Sequence, residues 1–178
     1  MRPGHVLIVG GTGMLNGLVE AFAGDGGRLS LLSRRASSSP VGDGFDCDYH
    51  DEAGFAAALA AAVARSGPPD LAVAWFHTLK IAAPRLLAQA VQGRMIQVLG
   101  SAMADPDHPD RLIRAAAVAD GLPDCALRQV VLGFRMEAGG ARWHAGAEIS
   151  AGLLEAIAAD RLLTIIGQVA PWSARPGG

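Results

Sequence analysis

Along the chain, short runs of Val, Leu and Ile alternate with longer alanine-rich stretches of helical period. The runs at 5–9, 28–32, 45–48, 71–75, 95–99, 126–132 and 162–166 predict strands. Most are continuously apolar rather than alternating, the pattern of strands covered by helices on both faces. Between them, Phe55, Leu59 and Val63 mark one helix stripe, and Ile149, Leu153 and Ile157 another at the same spacing of four. Pro109 and Gly121 bracket a further helix through Leu112, Ile113 and Ala116. Pro84 either begins or kinks the helix before Gly93. This alternation predicts stacked βαβ units in an α/β fold. We expect a single Rossmann-type doubly wound domain over residues 1–170, with a mostly parallel sheet of about seven strands and helices on both faces.

Two segments break the alternation. "RRASSSPVGDG", residues 34–44, is too short and too rich in Ser, Pro and Gly for a crossover helix, so a loop should join the second and third strands. "FRMEAGGARWH", residues 134–144, carries the glycine pair and flanking alternation of a hairpin. The tail, residues 171–178, reads as a flexible end.

Composition narrows the function classes. A chain of 178 residues fills one core and is short for two. With 51% hydrophobic residues and a formal net charge of −2, it has no excess of positive charge to attract nucleic acid or anionic lipid. The first apolar run is too short for a membrane span or a signal-peptide core, which leads to the expectation of a cytoplasmic protein. Cys47 and Cys125 are far apart and lie in or beside apolar strands, as buried free thiols do.

The chemistry begins at "VLIVGGTGMLNGLVEA", residues 6–21. A strand that ends in Gly10, Gly11, Thr12 and Gly13 and enters a helix at Met14 and Leu15 has the arrangement that seats a dinucleotide. The glycines let the backbone approach a pyrophosphate, and the helix's free amides and dipole meet its charge. The third glycine of the usual pattern falls on Asn16, with Gly17 next to it. At the end of the second strand, an NAD site places Asp or Glu against the ribose hydroxyls. This chain instead has Ser33, Arg34 and Arg35, a hydroxyl and two guanidinium groups suited to a 2′-phosphate, so NADP(H) is favoured over NAD(H). The plainer alternative is a solvated basic corner.

With these segments in view, the sequence resembles the short-chain dehydrogenase/reductase superfamily, and in particular its short, atypical bacterial members. The resemblance runs over nearly the whole chain, through "VLIVGGTGML", "CDYHDE", "LAVAWFH", "QVLGS", "LRQVVLGF" and "RWHAGAEISAG". It implies adenine contacts from Asp48 and the Tyr49 backbone. It places Trp75, Phe76 and His77, where the family usually has Asn-Asn-Ala-Gly, beside the ribose and nicotinamide. It also sets Ser101 at or near the serine that hydrogen-bonds the substrate's carbonyl or hydroxyl. The resemblance further implies a small-molecule substrate and a homodimer contact through the helices after the fourth and fifth strands. The acids around Asp46, Asp48, Asp51 and Glu52 match no tight ligand spacing and read as helix-capping residues, so no metal is expected.

The family's proton donor is a tyrosine with a lysine four residues later. Here Tyr49 is the only tyrosine, Ala53 stands at that spacing, and Lys80 is the only lysine. His77 is the candidate replacement, because imidazole titrates near neutral pH; its alternative role is a hydrogen bond to ribose or backbone. Lys80 either faces the same crevice or is solvated. Arg128, Gln129, Arg142 and Trp143 either line the substrate side or lock the hairpin onto the sheet. Two functions follow. One is an NADP(H)-dependent oxidoreductase acting on a small carbonyl or imine, with Ser101 and His77 at the chemistry. The alternative is a non-catalytic NADP(H)-binding sensor or scaffold.

Overall fold

The apolar runs pair side by side and the helical stretches cover both faces of the resulting sheet. In the computed structural model, which describes residues 3–10, 13–77 and 80–177, the chain runs β1 (His5–Val9), α1 (Asn16–Ala23), β2 (Arg28–Ser33) and β3 (Asp43–Asp46). It continues through α2 (Glu52–Ser66), β4 (Leu71–Trp75), α3 (Ala82–Ala90), β5 (Gly93–Gly100), α4 (Arg111–Ala116) and β6 (Cys125–Leu132). A small hairpin, β7 (Phe134–Glu137) and β8 (Gly140–Trp143), precedes α5 (Gly146–Ala159) and β9 (Leu163–Ile166). The main sheet has seven strands in the order β3-β2-β1-β4-β5-β6-β9, and every neighbouring pair is parallel. This is the doubly wound Rossmann order, in which the direction of winding reverses between β1 and β4.

Alternation inside each strand divides the core. Val6 and Ile8 join Leu18, Val19 and Phe22 of α1 and Ile149 and Leu153 of α5 on one face. Leu7 and Val9 join Phe55 and Leu59 of α2 and Leu87 of α3 on the other. The Asp51 carboxylate accepts the Gly54 N–H at 3.1 Å and caps α2, as its place before the apolar stripe implied. Pro84 lies in the first turn of α3, where its missing N–H costs no helical hydrogen bond.

The third strand lies two residues earlier than the expected 45–48. Asp43 and Gly44 read as loop, yet both pair with β2, Ser30 against Asp43 and Leu31 against Gly44. The segment 34–44 folds a short 3₁₀ turn, Ala36–Ser38, back over that strand, and a side chain at Gly44 would overlap the Ala36 carbonyl. Glycine is therefore there for space between backbones.

Close packing of the first helix also departs from the usual motif. Asn16 turns along the helix, donating from Nδ2 to Glu20 Oε1 at 2.8 Å. Gly17 takes the contact instead, and its partner is a helix: a Cβ there would sit 2.9 Å from Ser150 Oγ of α5. The polar residues of β6 lock elements together. Arg128 Nε donates to Asp160 Oδ1 at 2.8 Å, and Gln129 Nε2 donates to Gln97 Oε1 and to the Leu112 carbonyl. The tail has defined contacts, with a 3₁₀ turn at Trp172–Ala174 and Arg175 hydrogen-bonded to Ser101.

Candidate functional site

The reversal between β1 and β4 leaves a crevice at the carboxyl ends of the strands. A groove of about 680 Å³ occupies it, within the size range of cofactor sites. Val9, Gly10, Gly13 and Met14 form its floor where β1 turns into α1. Leu32, Ser33, Arg34 and Arg35 form one wall, and Cys47 and Tyr49 flank them from the end of β3. Trp75 and His77 close the other side after β4.

Gly10 has φ +82°, a backbone conformation that side chains rarely adopt. A Cβ there would press within 3.2 Å of the Trp75 carbonyl, and its N–H donates to Leu32 O at 3.0 Å. Gly13 is exposed, with nothing within 4 Å of where its Cβ would be. Backbone is thus accessible at the start of α1, whose first turn holds no acidic side chain. Gly11 and Thr12 lie outside the described residues. Leu15, expected to touch the cofactor, has its side chain fully buried in the core, so only its backbone borders the turn.

Arg34 and Arg35 are exposed at the rim, and neither guanidinium meets a carboxylate among the described residues. The Ser33 Oγ accepts the Arg35 N–H at 3.4 Å. An open glycine backbone at one end of the groove and two exposed guanidiniums at the other are groups that can hold a phosphate-bearing dinucleotide.

Asp48 is exposed and outside the groove lining; its carboxylate accepts the His50 N–H at 2.9 Å. Its neighbour Asp46 binds the Ser37 hydroxyl and N–H, which together hold its carboxyl below the usual range. Among the described residues, no three His, Cys, Asp or Glu side chains stand together as a metal site. Burial, reinforced by Asp48 and Asp46, pushes the Cys47 thiol up to about 11, so it is protonated at neutral pH. Cys47 was not a candidate in the sequence. Its place beside Tyr49 follows only from the strand shift described above.

Phe76 does not line the groove. Its ring packs edge-on to Phe55 at 5.8 Å and to Tyr49 at 5.3 Å, on the α2 side of the sheet. That packing fixes the tyrosine, whose hydroxyl accepts the His77 N–H at 3.2 Å. His77 is exposed and stands 4.8 Å from the Trp75 ring. Ser101 lies outside the groove lining, one residue beyond Gly100, where a Cβ would meet the tip of the Trp75 indole at 4.0 Å. The indole therefore reaches from the groove toward the end of β5.

A cluster beside the end of β5 joins residues the sequence did not single out together. Ser101 is 5% exposed, and its Oγ accepts from Arg175 Nε at 2.9 Å. The Arg175 guanidinium lies 5.2 Å from the ring centroids of both Trp143 and Trp172. Beneath it, Glu148 accepts from Arg142 and Arg135 and from the Ala145 N–H at the start of α5. The Arg142 contact is the largest cause holding the Glu148 carboxyl far below its usual range. Arg142 thus locks the hairpin to α5, while Trp143 at the hairpin's end faces Arg175.

No protein-family model and no curated protein matches the sequence. Solved structures do match the fold. An oxidoreductase assigned to the short-chain dehydrogenase/reductase family from Aeromonas hydrophila superposes with a TM-score of 0.67 and 17% identity, covering 93% of this chain and 98% of the other. The fold is that of the short-chain dehydrogenase/reductases. A short-chain dehydrogenase/reductase from Serratia marcescens gives a TM-score of 0.64 at 18% identity, over 92% of this chain and 95% of the other. A variant of the actinorhodin polyketide ketoreductase, solved with NADPH, gives 0.67 at 14% identity, over 93% and 96%. At these identities the likeness is one of architecture, and function rests on the site itself.

Proposed function

We propose that this chain is an NADP(H)-dependent oxidoreductase of the short-chain dehydrogenase type, acting on a small carbonyl or imine. The observation that carries the proposal is the pair Arg34 and Arg35, without carboxylate partners among the described residues, on the groove that Gly10 and Gly13 open to a phosphate. The NADPH complex of the actinorhodin ketoreductase, on the same fold, supports it.

Gly10, Gly13 and the first amides of α1 hold the pyrophosphate, and Ser33, Arg34 and Arg35 hold the 2′-phosphate. When bound there, the nicotinamide would supply hydride chemistry. Trp75 shields the reacting face from water, and Ser101 orients the substrate oxygen or nitrogen. His77 gives that atom a proton and is reprotonated from solvent, which its exposed position allows. No lysine stands four residues after Tyr49, so the proton donor differs from the family's usual tyrosine.

The test is a fluorescence titration with NADPH and NADH. Replacing two charge-assisted contacts worth about 1.5–3 kcal/mol each, Arg34→Asp with Arg35→Ala should weaken NADPH roughly 100-fold or more while changing NADH far less. Equal NADPH affinity in the variant would overturn the 2′-phosphate assignment, and failure to bind either cofactor would overturn the proposal. Absorbance at the NADPH band across aldehydes, ketones and imines then tests turnover, with His77→Ala and Ser101→Ala expected to abolish most of it. The missing tyrosine and lysine pair favours a second reading, a cofactor-binding sensor or scaffold, which predicts binding without oxidation of NADPH by any of them.

A further inference from the structure

Arg175 is a partly buried cation with unused hydrogen-bonding capacity. One N–H of its guanidinium goes to Ser101, and its central carbon lies 5.2 Å from the ring centroids of both Trp143 and Trp172. Its terminal nitrogens find no acceptor, and it meets no carboxylate, among the described residues. The nearby acids are already committed: Glu148 to Arg142 and Arg135, and Glu137 to Arg142. The two indoles and the bond to Ser101 together hold the guanidinium at the end of β5. What remains is a pre-organised fork of two N–H-bearing nitrogens, the shape that binds a carboxylate bidentately.

The Ser101 hydroxyl adds a constraint on the ligand. By accepting from Arg175 Nε, its oxygen keeps its own proton free to donate. A carbonyl oxygen on Ser101 and an anion on the fork are then bound by adjacent atoms of one rigid unit. The two groups must therefore be close neighbours in the same molecule.

We propose that Arg175 is the substrate's carboxylate anchor, and that the substrate class is a small 2-oxo acid or its imine. The assignment rests on the oxidoreductase reading for turnover, but the anchor itself binds without cofactor. It also explains why the C-terminal segment is held on the sheet's carboxyl edge: the segment delivers a specificity residue from Pro171–Gly177 to the end of β5. In the forward reaction, hydride from NADPH adds to the C2 carbonyl carbon and a proton adds to its oxygen, giving a 2-hydroxy acid and NADP⁺. The carboxylate stays on Arg175 throughout and takes no part in the bond changes.

The probe is oxamate, an unreactive carboxylate of this shape, followed by tryptophan fluorescence and by calorimetry in the full chain without cofactor. Two of the three tryptophans lie beside the Arg175 guanidinium, so binding should change their emission. We expect saturable binding that weakens with salt, falls at least about tenfold in Arg175→Gln, and is partly kept in Arg175→Lys. Acetamide, neutral and otherwise similar, should not compete. Thermal midpoints of both variants check that they fold. Oxamate affinity that is absent in the native protein, or unchanged in a folded Arg175→Gln, overturns the anchor. If the native protein binds NADPH but not oxamate, the anchor fails and the cofactor reading stands. If it binds oxamate through Arg175 but no nicotinamide cofactor, the anchor stands and the oxidoreductase reading fails. With pyruvate as substrate, Arg175→Lys should raise KM more than it lowers kcat, because the interaction is made in ground and transition states alike.

Discussion

His5, at the start of β1, offers a clean measurement of what a buried polar pair contributes to this sheet. The residue is fully buried, with Nδ1 2.8 Å from the Gly67 carbonyl and Nε2 2.9 Å from Ser30 Oγ. A carbonyl only accepts, so Nδ1 carries the proton and Nε2 accepts from the Ser30 hydroxyl. The ring thereby ties β1 to β2 and to the connection before β4. His5→Leu keeps much of the volume but strands the fully buried Ser30 hydroxyl, at a cost of about 1–3 kcal/mol. Gly67 is only half-buried and recovers part of its bond from water. Removing both partners in His5→Leu with Ser30→Ala leaves nothing unsatisfied between the strands. The double variant should therefore be more stable than His5→Leu alone, although it carries more substitutions.

The same pair sets a pH dependence. Burial lowers the His5 pKa from its ordinary 6.5, so below that pH the unfolded chain takes up a proton that the folded chain refuses. Stability that His5 confers is complete above about pH 7.5 and is lost as pH falls through 6.5 toward the folded value. The limiting slope is about 1.4 kcal/mol per pH unit. Urea unfolding at pH 8.0, 6.5 and 5.5 reads this as a gap between the native protein and His5→Leu that shrinks with acid. A constant gap across those pH values, or a double variant less stable than the single one by the full cost of Ser30→Ala, would refute the reasoning.

Two further outcomes follow from the packing and from the groove. Gly17→Val puts branched carbon where a Cβ alone would be 2.9 Å from Ser150 Oγ, and should cost about 1–3 kcal/mol in denaturant unfolding. Gly17→Ala should be less costly in a Ser150→Ala background, since the buried Ser150 hydroxyl has no hydrogen-bond partner among the described residues; equal costs in both backgrounds would show that the helices separate freely there. Cys47, with its thiol raised to about 11, is roughly one part in 1,000 thiolate at pH 8, so iodoacetamide should alkylate it slowly and about tenfold faster per pH unit up to 10. Alkylation at pH 7 as fast as a free thiol, followed by peptide mass spectrometry, would contradict its burial.

How far the sequence was readable depends on whether a feature is local. Six of the seven sheet strands end within one residue of the expected carboxyl end, because each carries a run of apolar residues that marks it. The remaining one, β3, is an edge strand whose sequence, Asp-Gly-Phe-Asp, carries no such run. Its position is set by the Ala36 turn lying over Gly44, a contact invisible to periodicity. Met14, Ser33, Arg34, Arg35, Tyr49, Trp75 and His77 were legible because each sits within a few residues of a strand end, and the topology brings strand ends together. Leu15 and Phe76 lie among them in sequence yet turn into the packing, since neighbouring positions on a strand or turn point opposite ways.

Arg175 marks the limit of that logic. It stands 74 residues from Ser101 and belongs to no predicted element. Read alone, "PWSARPGG" has the composition of a loose end. Its order comes from partners elsewhere: Trp143, positioned by the Arg142 and Glu148 lock between hairpin and α5, and Ser101, positioned by β5. The groove is assembled from the ends of β1 to β4, where the glycine motif is dense. The Arg175 cluster is assembled from β5, β8 and the tail. On the proposed reading, cofactor binding and substrate specificity would reside in separate halves of one sheet, with the Trp75 indole reaching from one toward the other. A chain that lacks the usual tyrosine and lysine pair can keep hydride chemistry only if other groups align the substrate, which is the service that the proposal gives to Ser101 and the Arg175 fork.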